Sequence, residues 1–234
     1  MKKLAIFVEG YTEQLFIETL LREVIGTRHL RIESYSGVGG GRGPRGWHLL
    51  GVSNPAHRTR FSAMVVDCGS DGRVRSDIAD HYDSLVAAGY SAIIGVRDAY
   101  PDVAYNQIQL LRNGLQVGLK NAPIQVLFVL GVMEIESWFL SEFTHFQRLD
   151  PTLTPAAIRH ALGFDPTAED MQLRRRPSAD LNDAYHLVGL AYQKSGRHIQ
   201  RTVDIIDYSH LYLGMSCRLP DLDALNAALD QFLS

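Results

Sequence analysis

The chain is poor in sulfur, in net charge and in long apolar runs, and each shortage excludes something. Cys68 and Cys217 are the only two cysteines in 234 residues, too few and too far apart for a disulfide framework or a zinc ribbon. No stretch approaches the roughly 20 apolar residues a membrane-spanning helix needs. Met1-Lys2-Lys3 and the apolar run after it look superficially like a secretory leader, but that run is short and Glu9 interrupts it. A reducing, cytoplasmic location with no membrane contact is the simplest expectation. The net charge of −3 carries no global basic signature, so a nucleic-acid partner would have to be met by a local cationic patch. The histidines (His29, His48, His57, His81, His145, His160, His186, His198 and His210) show no metal-ligand spacing. Hydrophobic content of 46% with 21% charged residues argues for a folded globular chain and against disorder.

Apolar runs alternate with amphipathic segments through the first two thirds. Leu4 to Val8, Leu30 to Tyr35, Phe61 to Val66, Ser91 to Val96 and Ile124 to Leu130 read as strands. Glu13 to Val24, Val74 to Ala88 and Val103 to Val117 read as helices, the first two stopped by Gly26 and Gly89. This alternation predicts an α/β fold with a mostly parallel sheet flanked by helices. Beyond Asp150 it stops, and Leu181 to Tyr192, Arg197 to Ile206 and Leu222 to Leu233 read as helices. The expected organisation is an α/β domain over 1–150 and a helical C-terminal extension over 151–234. Ser36 to Arg60, dense in glycine and bearing Arg42 and Arg45, has no period of either kind and reads as a long functional loop. It lacks the Gly-Lys-Ser/Thr ending of a phosphate-binding P-loop, which argues against ATP hydrolysis by this chain.

Chemistry concentrates where strands end in acid. Leu4-Ala5-Ile6-Phe7-Val8 runs into Glu9-Gly10-Tyr11-Thr12-Glu13, with Gly10 expected to permit a tight turn. Ala92 to Val96 leads to Asp98 and Asp102, and Gln125 to Leu130 leads to Glu134 and Glu136. Open α/β sheets place ligands at the carboxyl ends of their strands. Carboxylates gathered there repel one another by several kcal/mol unless a cation joins them. The pattern points to a divalent metal, and oxygen-only ligands suit Mg²⁺ or Mn²⁺ rather than zinc. Glu13 and Asp102 also fit plain helix-terminal roles. Asp67 ends a buried run as well and rivals Asp98, while Asp71-Gly72 fits a turn. Glu134 and Glu136 point the same way if the chain there is extended, and diverge if a helix has begun, in which case Glu136 faces the site. Arg42 and Arg45 are candidate phosphate ligands, since arginine binds phosphate in a bidentate way and glycine exposes backbone N–H groups. Leu173-Arg174-Arg175-Arg176-Pro177 is a second basic spot, equally readable as a solvated loop.

Val8-Glu9-Gly10-Tyr11-Thr12-Glu13 resembles the first motif of Toprim domains, the metal-binding fold of topoisomerases, primases and OLD-type nucleases, and the Asp98 turn resembles their second motif. Met133-Glu134-Ile135-Glu136-Ser137-Trp138-Phe139-Leu140, with Ala191-Tyr192-Gln193-Lys194 and Asp207, resembles the small stand-alone Toprim-like proteins of the DUF4276 family. The usual Asp-x-Asp is spread here as Asp98-x-x-x-Asp102. The resemblance implies a Toprim/Rossmann-like fold and Mg²⁺- or Mn²⁺-dependent phosphodiester cleavage, often in bacterial defence against phage. Glu9, Glu13, Asp98, Asp102, Glu134 and Glu136 would hold metal, with Glu9 as general base and Lys194 stabilising transition-state charge. DNA or RNA would be the substrate, and a separate ATPase could restrain or deliver the enzyme. The contrasting reading is a non-catalytic module that holds a structural metal or recognises a cationic partner through the same acidic cluster.

Overall fold

The computed structural model describes residues 1–39, 45–55, 59–99, 103–215 and 217–234, with Asp71 described by its backbone alone. Arg42 and Asp102 lie outside the described residues. The chain is α/β, with six strands in the order β3-β2-β4-β1-β5-β6. They are β1 (Lys2–Val8), β2 (Leu30–Val38), β3 (Gly46–Val52), β4 (Phe61–Asp67), β5 (Ala92–Asp98) and β6 (Val126–Gly131). β1 pairs in parallel with β4 and β5, and β2 in parallel with β4. Leu4 to Val8 are wholly buried, which is why β1 reads as an unbroken apolar run: a central parallel strand is covered on both faces.

Two compact units divide the chain, and they are not 1–150 and 151–234. The first comprises Met1–Arg97, Gln109–Val129 and Leu225–Ser234; the second comprises Asp98–Ile108 and Leu130–Ala224. Sequence order hides this division, because the chain leaves the first unit at Asp98, returns for a helix and a strand, and leaves again at Leu130.

In the first unit, α1 (Tyr11–Ile25) buries Phe16, Ile17, Leu20 and Leu21 at helical spacing. Gln14 on α1 donates through Nε2 to the carbonyls of Tyr35 and Val65 at 2.9 and 3.1 Å, tying helix to sheet. α2 (Asp71–Ala87) buries Val74, Ile78, Tyr82 and Leu85. The Tyr82 hydroxyl donates to the carbonyl of Ile124 at 2.6 Å and accepts from its N–H at 3.0 Å. α3 (Ile108–Gln116) is shorter than the helix expected over 103–117, its start being a 3₁₀ turn at Tyr105–Gln107. Gly95 sits where a side chain would meet the Phe128 ring at 2.7 Å, so β5 and β6 approach through a glycine.

The expected long loop over 36–60 is in part a strand. β3 runs antiparallel to β2, with Tyr35 opposite Leu49 and Val38 opposite Gly46, past an irregularity at Ser34/Tyr35. Trp47 packs against Phe7, Tyr35 and His81. The rest of β3 is mostly exposed, so no hydrophobic alternation marks it in the sequence.

The second unit is helical: α4 (Glu136–Ser141), α5 (Thr144–Leu149), α6 (Pro155–Leu162), α7 (Pro177–His186), α8 (Gly196–Ile205) and α9 (Tyr208–Gly214), with the first residues of α10 (Pro220–Leu233). α4 packs against α7, α5 against α8 and α6 against α7. α6 has its ends written in the sequence: Thr154 accepts the N–H of Ala157, Pro155 starts the helix, and Gly163 closes it at φ 77°. No helix among the described residues is long and apolar enough to cross a membrane.

Candidate functional site

The turn after β6 builds the site. Gly131 ends the strand where a Cβ would overlap Asp98 Oδ1 and sit 2.9 Å from the Ile135 nitrogen. Met133 follows with φ 65°, a left-handed conformation costly for a side-chain-bearing residue. That residue reverses the chain, so Glu134 precedes the helix and Glu136 opens it. Both carboxylates therefore reach one ammonium, and neither the extended nor the helical expectation for the pair describes the turn.

Lys194 Nζ lies 3.3 Å from Glu134 Oε1, 3.5 Å from Glu136 Oε2 and 4.0 Å from Asp98 Oδ2. Asp98 is 2% exposed and Glu136 not at all. Separate groups hold each acid. Asp98 Oδ1 accepts the N–H of Ile135 at 2.8 Å, at the entrance to α4. Glu134 accepts the Ser178 N–H at 2.8 Å and its hydroxyl at 3.0 Å, at the start of α7. Glu136 Oε1 accepts the Tyr192 hydroxyl at 2.7 Å. Its Oε2 is buried with no hydrogen-bond partner among the described residues. Burial pushes the Glu136 carboxyl up from its ordinary value; Lys194 and the Tyr192 hydroxyl pull it down, and Glu134 pushes it up.

Among the described residues no three His, Cys, Asp or Glu side chains are grouped so as to hold a metal ion as they stand. The donor chemistry nonetheless suits a hard cation: three carboxylates face one ammonium, and a buried carboxylate oxygen lacks a hydrogen bond. Asp98, Glu134 and Glu136 would be the residues to hold such an ion.

Among the described residues, the candidates Glu9, Glu13, Arg45, Asp67 and Asp71 lie in the first unit. Glu9 is half-buried in the turn after β1, and Glu13 is buried in the first turn of α1. The short turn expected at Gly10 is there, with α1 starting at Tyr11, but Gly10 has φ −159°, extended backbone that any residue adopts, so the turn does not depend on glycine. Asp67 accepts the Gly69 N–H at 2.8 Å, and burial pushes its carboxyl up despite that bond and the nearby Arg45. Asp71 starts α2 rather than a turn. The Arg45 guanidinium is turned inward: Nη1 donates to the Cys68 carbonyl at 2.7 Å and pairs with Asp77 at 3.1 Å. A phosphate would have to compete with Asp77, which is itself buried.

Ser178 and Tyr192 hold the acids, and neither carried a role in the sequence reading. Pro177-Ser178 at a helix start was the available signal for the first. Tyr192 sits on a stretch between helices, its N–H donated to Asn182 Oδ1 at 2.9 Å. Trp138 is fully buried and so has no ring face to offer a base.

No family model matches the chain, and no curated protein matches it. A solved structure of a hypothetical protein from Pyrococcus horikoshii OT3 is similar over the whole of both chains, at 12% identity and a TM-score of 0.47.

Proposed function

We propose that this chain is a Toprim-type phosphodiesterase that cleaves DNA or RNA with Mg²⁺ or Mn²⁺ held by Asp98, Glu134 and Glu136. The observation that carries the reading is Glu136 Oε2, a wholly buried carboxylate oxygen with no hydrogen bond among the described residues, facing an ammonium 3.5 Å away. Three carboxylates reach this one ammonium, and carboxylates gathered in a buried place favour a cation beside them. A bound divalent ion supplies Lewis-acid polarisation of the phosphate and activation of water. Ser178 holds both oxygens of Glu134, and Tyr192 holds one oxygen of Glu136 and leaves the other toward Lys194, so both acids are oriented for a cation. Lys194, 46% exposed at its side chain, is placed to move onto phosphate oxygens once displaced from the acids, where its charge supports the transition state.

The test is a cleavage assay on single- and double-stranded DNA and RNA with Mn²⁺, Mg²⁺ or EDTA, alongside Glu136→Gln and Glu9→Ala. Metal-dependent cutting abolished by Glu136→Gln supports the reading; Mn²⁺ binding without cutting of any substrate overturns it.

One observation favours a second reading, a binding module without catalysis. Lys194 already sits among the carboxylates, and among the described residues no ready-made metal group exists. In that reading the cluster recognises a cationic partner surface. The DUF4276 resemblance supplies a setting for either: a cytoplasmic protein of anti-phage defence working with a separate ATPase. Full, regulated activity of the isolated chain would count against that ATPase.

A further inference from the structure

Two exposed basic segments adjoin, along the chain, residues of the acidic cluster. Arg175 and Arg176 are exposed immediately before Pro177 and Ser178, and Ser178 is the residue that grips both oxygens of Glu134. Arg176 is two residues from Ser178, which limits their Cα separation to about 7 Å. Their neighbour Arg174 is committed elsewhere, bidentate to Asp180 and over the Phe164 ring. Arg197 is exposed in the first turn of α8, three residues from Lys194 and so within about 11 Å of it along the chain. It borders an open concavity of about 570 Å³ lined by Gly196, Arg197, Gln200, Arg201, Asp204 and Ile205. Asp204, the one acid of that wall, accepts from Gln200 Nε2 at 2.7 Å. Arg201 is anchored by the Ala191 carbonyl and the Tyr185 ring.

Among the described residues Arg175, Arg176 and Arg197 have no ion-pair partner, unlike Arg22, Arg31, Arg45, Arg148 and Arg174. A charged side chain kept free of acids beside an acidic centre leaves its charge for an external anion. A single phosphate would occupy only the cluster; two separate cationic segments suit a chain of phosphates.

We infer that Arg175–Arg176 and Arg197 are the two grips of a nucleic-acid strand that crosses the Asp98/Glu134/Glu136/Lys194 cluster. The inference rests on the phosphodiesterase reading for the identity of the ligand. It makes the substrate a polynucleotide rather than a mononucleotide or small phosphodiester. The grips read backbone and not sequence, because an arginine on phosphate carries no base information.

The test is fluorescence anisotropy with a fluorescein-labelled single-stranded oligonucleotide and the full chain carrying Glu136→Gln, in Mn²⁺ over a range of salt. The added changes are Arg175→Glu with Arg176→Glu, and separately Arg197→Glu, with alanine versions if a charge reversal disturbs folding by circular dichroism. Arg28→Glu, at an exposed turn after α1, controls for net charge. Each grip variant is expected to weaken binding about tenfold or more and to lower the salt slope by about 0.7 for each lost phosphate contact. Arg28→Glu is expected to leave both unchanged. Absent binding by the parent, unaltered slopes in the grip variants, or an equal loss in Arg28→Glu would each overturn the inference. Binding is read without turnover, so arginine-dependent binding with no cleavage by the wild type would sink the hydrolytic reading and leave the grips standing.

Discussion

Tyr192 donates its hydroxyl to one oxygen of Glu136 at 2.7 Å, and the other oxygen is left buried without a hydrogen bond among the described residues. The phenol thus decides which oxygen is available. Tyr192→Phe is expected to weaken Mn²⁺ binding by about ten- to a hundredfold, the range for partners that orient a metal ligand, with thermal stability lowered by only about 1 kcal/mol. Titration calorimetry and thermal unfolding of the same samples read both. An unchanged affinity would remove Tyr192 from the site.

Lys194 separates the two functional readings. If its ammonium holds a cation's place, Lys194→Ala should tighten Mn²⁺ binding by about tenfold, equivalent to about 1.4 kcal/mol. The same change should lower cleavage by about a hundredfold or more, through lost transition-state charge. A binding module predicts the tighter binding alone, since it has no cleavage to lose.

Gly131→Ala tests the tightness of the turn. The added methyl would overlap Asp98 Oδ1 and crowd the Ile135 nitrogen. A loss of about 1–3 kcal/mol is expected, as for other overpacked sites, measured by urea denaturation. Asp98 must shift to admit the methyl, so cleavage should fall as well.

Acid sensitivity should trace to Glu142, which is wholly buried just after α4. Burial alone would push its carboxyl up. Hydrogen bonds and charge from His145, with further hydrogen bonds from Thr144 and His210, outweigh that and bring it down to about 2. A carboxylate held below its unfolded value adds stability above about pH 4.5, and that stability is lost as pH falls towards about 2. The loss should be roughly 3 kcal/mol. Wild type should therefore lose more stability between pH 6 and pH 3 than Glu142→Gln, in urea titrations at each pH. Equal losses would refute the assignment.

The parts legible in the sequence were those with a period or an abrupt end. β1 announced itself because a strand covered on both faces must be apolar throughout, and Asp98, Glu134 and Glu136 stood out as acids closing such runs. β3 stayed hidden because its exposed residues need no alternation. The division into units was hidden because both leave and re-enter the chain. Ser178 and Tyr192 were missed as site residues for a different reason: they meet Glu134 and Glu136 across 44 and 56 residues, and single-residue contacts at that range leave no local pattern. Met133 gave no warning of its left-handed backbone, a conformation that a residue with a side chain disfavours and that no local pattern signals.

The two oxygens of Asp98 answer to different masters: one seats the N–H of Ile135 where α4 begins, and the other faces Lys194. Evolutionary drift at this position is thereby confined. A neutral amide could still seat the helix while silencing the charge, whereas any side chain without an acceptor would unseat α4 and carry Glu136 away with it. Where the charge of this position is dispensed with, Asn is therefore the replacement expected, because it keeps an acceptor for the Ile135 N–H.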